Sequence, residues 1–105
     1  MLRNAFVMKL KPGFEQEYKI RHDAIWPELR AELRAAGISD YSIFRRGQDL
    51  FLVLRVADFE AAWDQLASDP VNLRWQAEVG KYFEPMPDLQ SGERYAMMTE
   101  LFHLE

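Results

Sequence analysis

Apolar positions along this chain recur with a period that switches between two and about 3.6 residues, and each switch marks a change of element. Arg3 to Leu10 alternates, with Phe6, Met8 and Leu10 on one face and Ala5 and Val7 on the other. Apolar residues on both faces predict a strand covered on both sides. Lys11-Pro12-Gly13 is a turn, after which Phe14, Tyr18, Arg21 or His22, Ile25, Leu29, Leu33 and Ala36 follow helical spacing. Pro27 has no backbone N–H, so the helix is predicted to break and restart there, with Gly37 capping its end. Ile38 to Arg46 alternates again, with Tyr41 and Ile43 on one face and Ser42 and Phe44 on the other. Gly47-Gln48-Asp49 then turns into the apolar run Leu50 to Val56, and the two runs predict an antiparallel hairpin. Asp58 is a candidate N-cap for a helix to about Ala67, and Ser68-Asp69-Pro70 restarts a second one to about Phe83. Beyond a loop holding Pro85, Pro87 and Ser91-Gly92, Tyr95 to Leu104 reads as a final strand.

The order β-α-β-β-α-β is that of a ferredoxin-like α+β fold, predicted as one domain over residues 1–105. Such a sheet carries helices on one face and needs cover on the other. Val7, Tyr41, Ile43, Leu52, Leu54, Met97 and Leu101 are the candidates for that second face, and they are too apolar to face water. Two sheets packed face to face would form a dimeric α+β barrel, so a homodimer is expected.

Composition narrows the function. Hydrophobic residues at 49% can build a core, and a net charge of −4 argues against coating nucleic acid or an anionic membrane. With no cysteine, disulfides, thiolate nucleophiles and Cys-based metal sites are excluded. The stretch from Met1 to Met8 lacks the long apolar core of a signal peptide, and no run approaches the roughly 20 apolar residues of a bilayer span. A cytoplasmic, soluble location is expected.

Chemistry concentrates between Tyr18 and Leu29. His22 follows Tyr18 by four residues, which stacks the two side chains on one helix face, and Trp26 lies one turn on. Histidine is the side chain best suited to proton transfer near neutral pH, and Asp23 and Glu28 are close enough to bias it. A partly exposed helix histidine would share this pattern. His103, alternating with Leu101, reads as structural or interfacial. No pair of histidines has metal-ligand spacing, and no phosphate loop, nucleophile elbow or dinucleotide fingerprint occurs. Tyr18, Tyr41 and Trp75 are equally core fillers or pocket walls by pattern alone, whereas Trp63 reads as core and Trp26 as a staple at the helix break. Aromatic faces beside polar groups suit a sugar ring, and equally a flat aromatic metabolite.

These residues resemble the L-rhamnose mutarotase family. The resemblance begins at Arg3-x-Ala5-Phe6-Val7-Met8 and runs through Glu17-Tyr18-x-x-Arg21-His22-x-x-Ile25-Trp26-Pro27-Glu28-Leu29. It continues with Gly37-x-x-x-Tyr41-x-Ile43 and Arg74-Trp75, and closes at Glu100-x-Phe102-x-Leu104. It implies a cofactor-free cytoplasmic homodimer of ferredoxin-like subunits that interconverts the α and β anomers of L-rhamnose, needing no metal. It implies His22 as proton donor, with Tyr18, Tyr41 and Trp75 contacting the sugar. The family often carries a second tryptophan after Trp75; here Gln76 takes that place in the sugar-binding wall. Asp23-Ala24 stands where Asn-Pro is common, which should loosen the helix break. Two other readings fit the same fold: a cofactor-independent monooxygenase of the dimeric α+β barrel type, and a non-catalytic sugar-binding module.

Overall fold

A computed structural model describes residues 2–105; Met1, part of the stretch read above for a leader, lies outside the described residues. The central strand β1 (Leu2–Leu10) pairs antiparallel with β3 (Asp49–Val56), which pairs in turn with β2 (Ser39–Arg46). The other edge of β1 is occupied by two short strands, β4 (Phe83–Glu84) opposite Lys9 and Leu10, and β5 (Ala96–Met98) opposite Ala5 to Val7. Together they fill the fourth position of a ferredoxin-like sheet, interrupted by the proline-containing loop.

Helices cover one face. The turn at Gly13, whose φ of +89° suits a residue without Cβ, leads into α1 (Glu15–Asp23), which buries a single residue, Tyr18. Pro27 is the first residue of α2 (Pro27–Ala35), with Trp26 as its N-cap, so the predicted break is where the backbone restarts. At the other end Gly37 takes φ +88°, and the Ile38 N–H donates to the Leu33 carbonyl at 3.1 Å, a Schellman closure. The hairpin turn is Gly47-Gln48, with Gly47 at φ +58° in the first central position, as a type II′ turn requires. Asp58 accepts from the Ala61 N–H at 3.0 Å and caps α3 (Phe59–Ala67); Asp69 accepts from Val71 at 2.8 Å and caps α4 (Pro70–Val79).

The core lies between helices and sheet. Phe6, Leu10, Leu50, Leu52, Leu54 and Val56 point up from the strands to meet Leu29, Leu66 and Val79, all nearly inaccessible to solvent.

Three expectations change. The last helix ends at Val79, ahead of Gly80, and passes through a 3₁₀ turn (Gly80–Tyr82); Phe83 is a strand residue facing Leu10. The last strand spans Ala96–Met98 rather than Tyr95 to Leu104: the ladder with β1 stops at Met98, and Glu100 is held beside β1 by its side-chain ion pair with Arg3 at 2.9 Å instead. Leu101, Phe102 and Leu104 are therefore exposed, as is His103. The uncovered face also has different members. Register sets Leu52 opposite Phe6 and Ile43 opposite Leu52, so Tyr41, Ile43, Leu52, Leu54 and Met97 fall on the helix side. The outer face instead carries Ala5, Val7, Phe44, Phe51, Val53 and Met98, and Val7 alone keeps its assignment.

Candidate active site

The helices do not seal the sheet completely. A cavity of about 500 Å³ opens between the inner face of the sheet and the helices, a size suited to a small ligand. Tyr18, His22, Tyr41, Trp75 and Gln76 all line it, so five residues drawn from α1, β2 and α4 converge on one space.

The α1 wall follows from helical spacing. His22 sits one turn after Tyr18, and their rings pack at 4.2 Å between centroids. Nδ1 of His22 lies 2.9 Å from the Tyr18 carbonyl oxygen. A carbonyl can only accept, so Nδ1 carries the proton and donates it, which leaves Nε2 as the free nitrogen. Burial holds the His22 pKa below its ordinary value, more than the Tyr18 carbonyl and Asp23 offset. Asp23 is itself occupied by Lys19 at 2.6 Å. At neutral pH His22 therefore presents a lone pair on Nε2.

Trp75 is the anchor between helices. It is 4% exposed, and its ring meets His22 at 5.4 Å and Trp26 at 5.2 Å, both edge-to-face. Trp26 thus staples the break at Pro27 onto α4, and the Arg74 guanidinium lies over its ring at 5.7 Å. Arg21 and Glu78 add an ion pair at 3.0 Å between α1 and α4. Since α1 buries only Tyr18, these contacts hold His22 in place. Gln76, next to Trp75, is exposed and lines the cavity.

Tyr41 enters from β2 because of a bulge. Ser39 and Ser42 pair with Arg55 and Val53, so three steps on β2 match two on β3. Asp40 absorbs the difference at φ +48°, an uncommon conformation for a residue with a side chain. Burial raises the pKa of both Tyr18 and Tyr41 well above the ordinary phenol value, so both stay protonated.

The sequence reading did not single out Tyr95, Arg30, Arg34, Asp40 or Asn72, which also line the cavity. Arg30 and Arg34 repeat the four-residue spacing that links Tyr18 to His22, which was the available signal for them. Trp63, read as core, lines the cavity too. His103 lies outside it, and among the described residues no group of three or more His, Asp or Glu is placed to hold a metal ion.

Known proteins resemble this chain in sequence and fold. A family model described as L-rhamnose mutarotase matches residues 3–104. An L-rhamnose mutarotase of Flavobacterium johnsoniae is 42% identical over 99% of this chain and 96% of its own. One of Burkholderia orbicola is 48% identical over 96% of each. The crystal structure of an L-rhamnose mutarotase from Formosa agariphila superposes with a TM-score of 0.81 at 33% identity, covering 100% of both chains. Tetracenomycin F2 cyclase from Streptomyces glaucescens, a type-II polyketide cyclase, reaches a TM-score of 0.70 at 17% identity and shares the fold alone.

Proposed function

The chain belongs to the L-rhamnose mutarotase family, and on that premise we propose that it interconverts the α and β anomers of L-rhamnose in the cavity between sheet and helices. This makes it an isomerase of the carbohydrate epimerase class. The carrying observation is the convergence of Tyr18, His22, Tyr41, Trp75 and Gln76 on one 500 Å³ space.

Mutarotation moves a proton on and off the anomeric oxygen while the bond from C1 to the ring oxygen breaks and re-forms. Neutral His22 suits the first half: Nε2 takes the proton of the anomeric hydroxyl as the ring opens. The buried phenols of Tyr18 and Tyr41 keep their protons and donate hydrogen bonds to sugar oxygens, including the ring oxygen as it gains negative charge. After rotation about C1–C2 the ring oxygen attacks the other face of the carbonyl. The imidazolium then returns its proton to the anomeric oxygen, so in this scheme His22 acts as a base before it acts as the proton donor that the resemblance implies. The proton count closes with His22 neutral again. Tyr18 acts twice in this scheme, because its carbonyl aims the imidazole whatever its hydroxyl does.

The working form is read as a homodimer, with the single domain of residues 1–105 as its subunit. The outer sheet face supports this: Phe44 is 60% exposed and Phe51 37%, and the exposed Leu101, Phe102 and Leu104 trail from the same sheet. A dimeric α+β barrel is the assembly that would cover both. An enzyme of a free sugar without cysteine fits the cytoplasm.

Saturation-difference NMR at the anomeric protons of L-rhamnose tests the reading. Wild-type protein should accelerate anomer exchange, and His22→Ala should lose about 10²–10⁴-fold of that acceleration. Binding without acceleration by wild type would leave a sugar-binding module; a fully active His22→Ala would remove the assigned role.

A further inference from the structure

Tyr95 is held in the cavity wall more tightly than a loop residue needs to be. It precedes β5, and its ring stacks on Phe6 of β1 at 4.6 Å with 25° between planes. The Trp63 indole N–H of α3 donates to its phenolic oxygen at 3.0 Å. The adjacent Arg94 is clamped onto the same helix by Asp64 at 2.7 Å and Glu60 at 3.5 Å. Strand, helix and salt bridges thus fix one ring at the edge of a cavity it helps to line.

The direction of the Trp63 bond decides what the hydroxyl can do. An indole N–H only donates, so it takes an acceptor position on the Tyr95 oxygen and leaves the phenol's own proton to go elsewhere. Among the described residues no protein atom accepts that proton. The phenol is also close enough to Tyr18 and Tyr41 to disfavour their ionisation, so the three hydroxyls share one neighbourhood. A phenylalanine would stack on Phe6 as well as a tyrosine does; the hydroxyl is what remains to be explained.

We propose that Tyr95 is a specificity-determining sugar contact, donating its hydroxyl proton to an oxygen of the bound pyranose, with Trp63 as the positioning residue that aims it. The inference rests on the sugar reading of the cavity. It places a polar aromatic contact on the α3 side of the cavity, in a chain whose α4 wall presents Gln76 after Trp75. The donor sits on a rigid ring, so it recognises an oxygen at one place on the sugar and discriminates against a sugar lacking it. A site built to hydrogen-bond a hydroxyl rejects the deoxy analogue because the buried donor is then left unpaired.

The test uses anomer-exchange kinetics on wild type, Tyr95→Phe and Trp63→Phe, with L-rhamnose and a set of analogues each lacking one ring hydroxyl. Tyr95→Phe should raise KM for L-rhamnose about three- to tenfold, the worth of one neutral hydrogen bond, with kcat within about twofold. The penalty should vanish for one deoxy sugar and persist for the others. Trp63→Phe should raise KM with the same dependence on sugar, which keeps the test open should Tyr95→Phe fold poorly. An unchanged KM, or a penalty equal for every sugar, would overturn the proposal and leave Tyr95 as a partner for the indole only. Absence of acceleration by wild type is a separate result that overturns the mutarotase reading itself.

Discussion

Phe6 and Phe51 sit on adjacent strands and on opposite faces of one sheet; the first is 1% exposed and the second 37%. Around Phe6 the inner face collects Leu10, Leu50, Leu52, Leu54 and Val56, all buried beneath the chain's own helices. Around Phe51 the outer face collects Val7, Phe44, Val53 and Met98, of which Phe44 and Met98 are exposed, and among the described residues the buried core lies on the other face. The two faces differ in their margins: the outer one also carries Arg3, Lys9, Ser42, Arg46, Asp49 and Arg55, whereas β3 turns Leu50, Leu52, Leu54 and Val56 inward. The connections follow that difference, because each helical crossover returns to the more apolar side. The inner side received helices broken at Pro27 and Pro70, whose imperfect cover leaves a cavity lined by aromatic rings. The outer side keeps an exposed apolar centre at Phe44, Phe51 and Met98 with charged residues around it, which is where the proposed second copy would sit.

The comparison breaks first at the inner face. Leu54 is fully buried, so Leu54→Ala should cost about 2–5 kcal/mol through lost transfer energy and a residual void. Urea denaturation should give that loss at every protein concentration, because the contact lies within one subunit. A loss below about 1 kcal/mol would mean that the inner face is less well packed than its burial indicates. Phe51→Glu probes the other side. A carboxylate on the outer face should leave the subunit folded and halve the mass seen by light scattering at micromolar concentration. The wild-type midpoint should rise with concentration, and the variant's should not. A wild type that is monomeric at those concentrations would sink the dimer reading; a dimeric Phe51→Glu would move the interface off this face.

The same two faces separate what was legible in the sequence from what was not. Local features came through because a few neighbouring residues determine them. Tyr18 and His22 share a helix face by spacing alone, Pro27 restarts a helix wherever it falls, and Asp58 caps with its own carboxylate. The assignment of faces depends on distant partners. Period-two alternation shows that Tyr41, Ile43, Leu52 and Leu54 are apolar positions, but not which side the helices will occupy, and the bulge at Asp40 shifts the parity of β2 midway. Tyr95 was read only as the start of a strand because its meaning comes from Trp63, thirty-two positions away. The alternation of the C-terminal residues was real, yet only Ala96–Met98 enters the ladder with β1, and Glu100 meets it through a side-chain ion pair with Arg3 instead.

The smallest effect sharpens the contrast by asking what cover does to a titratable group. His22 lies under the helices, packed against Tyr18 and Trp75, with Asp23 beside it already engaged by Lys19. Desolvation penalises the imidazolium, so the folded pKa falls below the unfolded value of about 6.5. Between the two values the unfolded chain binds more protons, so stability rises with pH across that window and is lost as pH falls through the folded pKa. Anomer exchange should follow the neutral form: its acid limb should lie below about pH 6.5, with the rate level above it. His22→Gln should remove His22's contribution to the acid-side loss of stability without altering the outer face. A rate that climbs on acidification through this window would show that the imidazolium, not the neutral ring, starts the reaction. In that case His22 would meet the sugar at the ring oxygen rather than the anomeric hydroxyl, and the phenols would have to serve the anomeric oxygen instead.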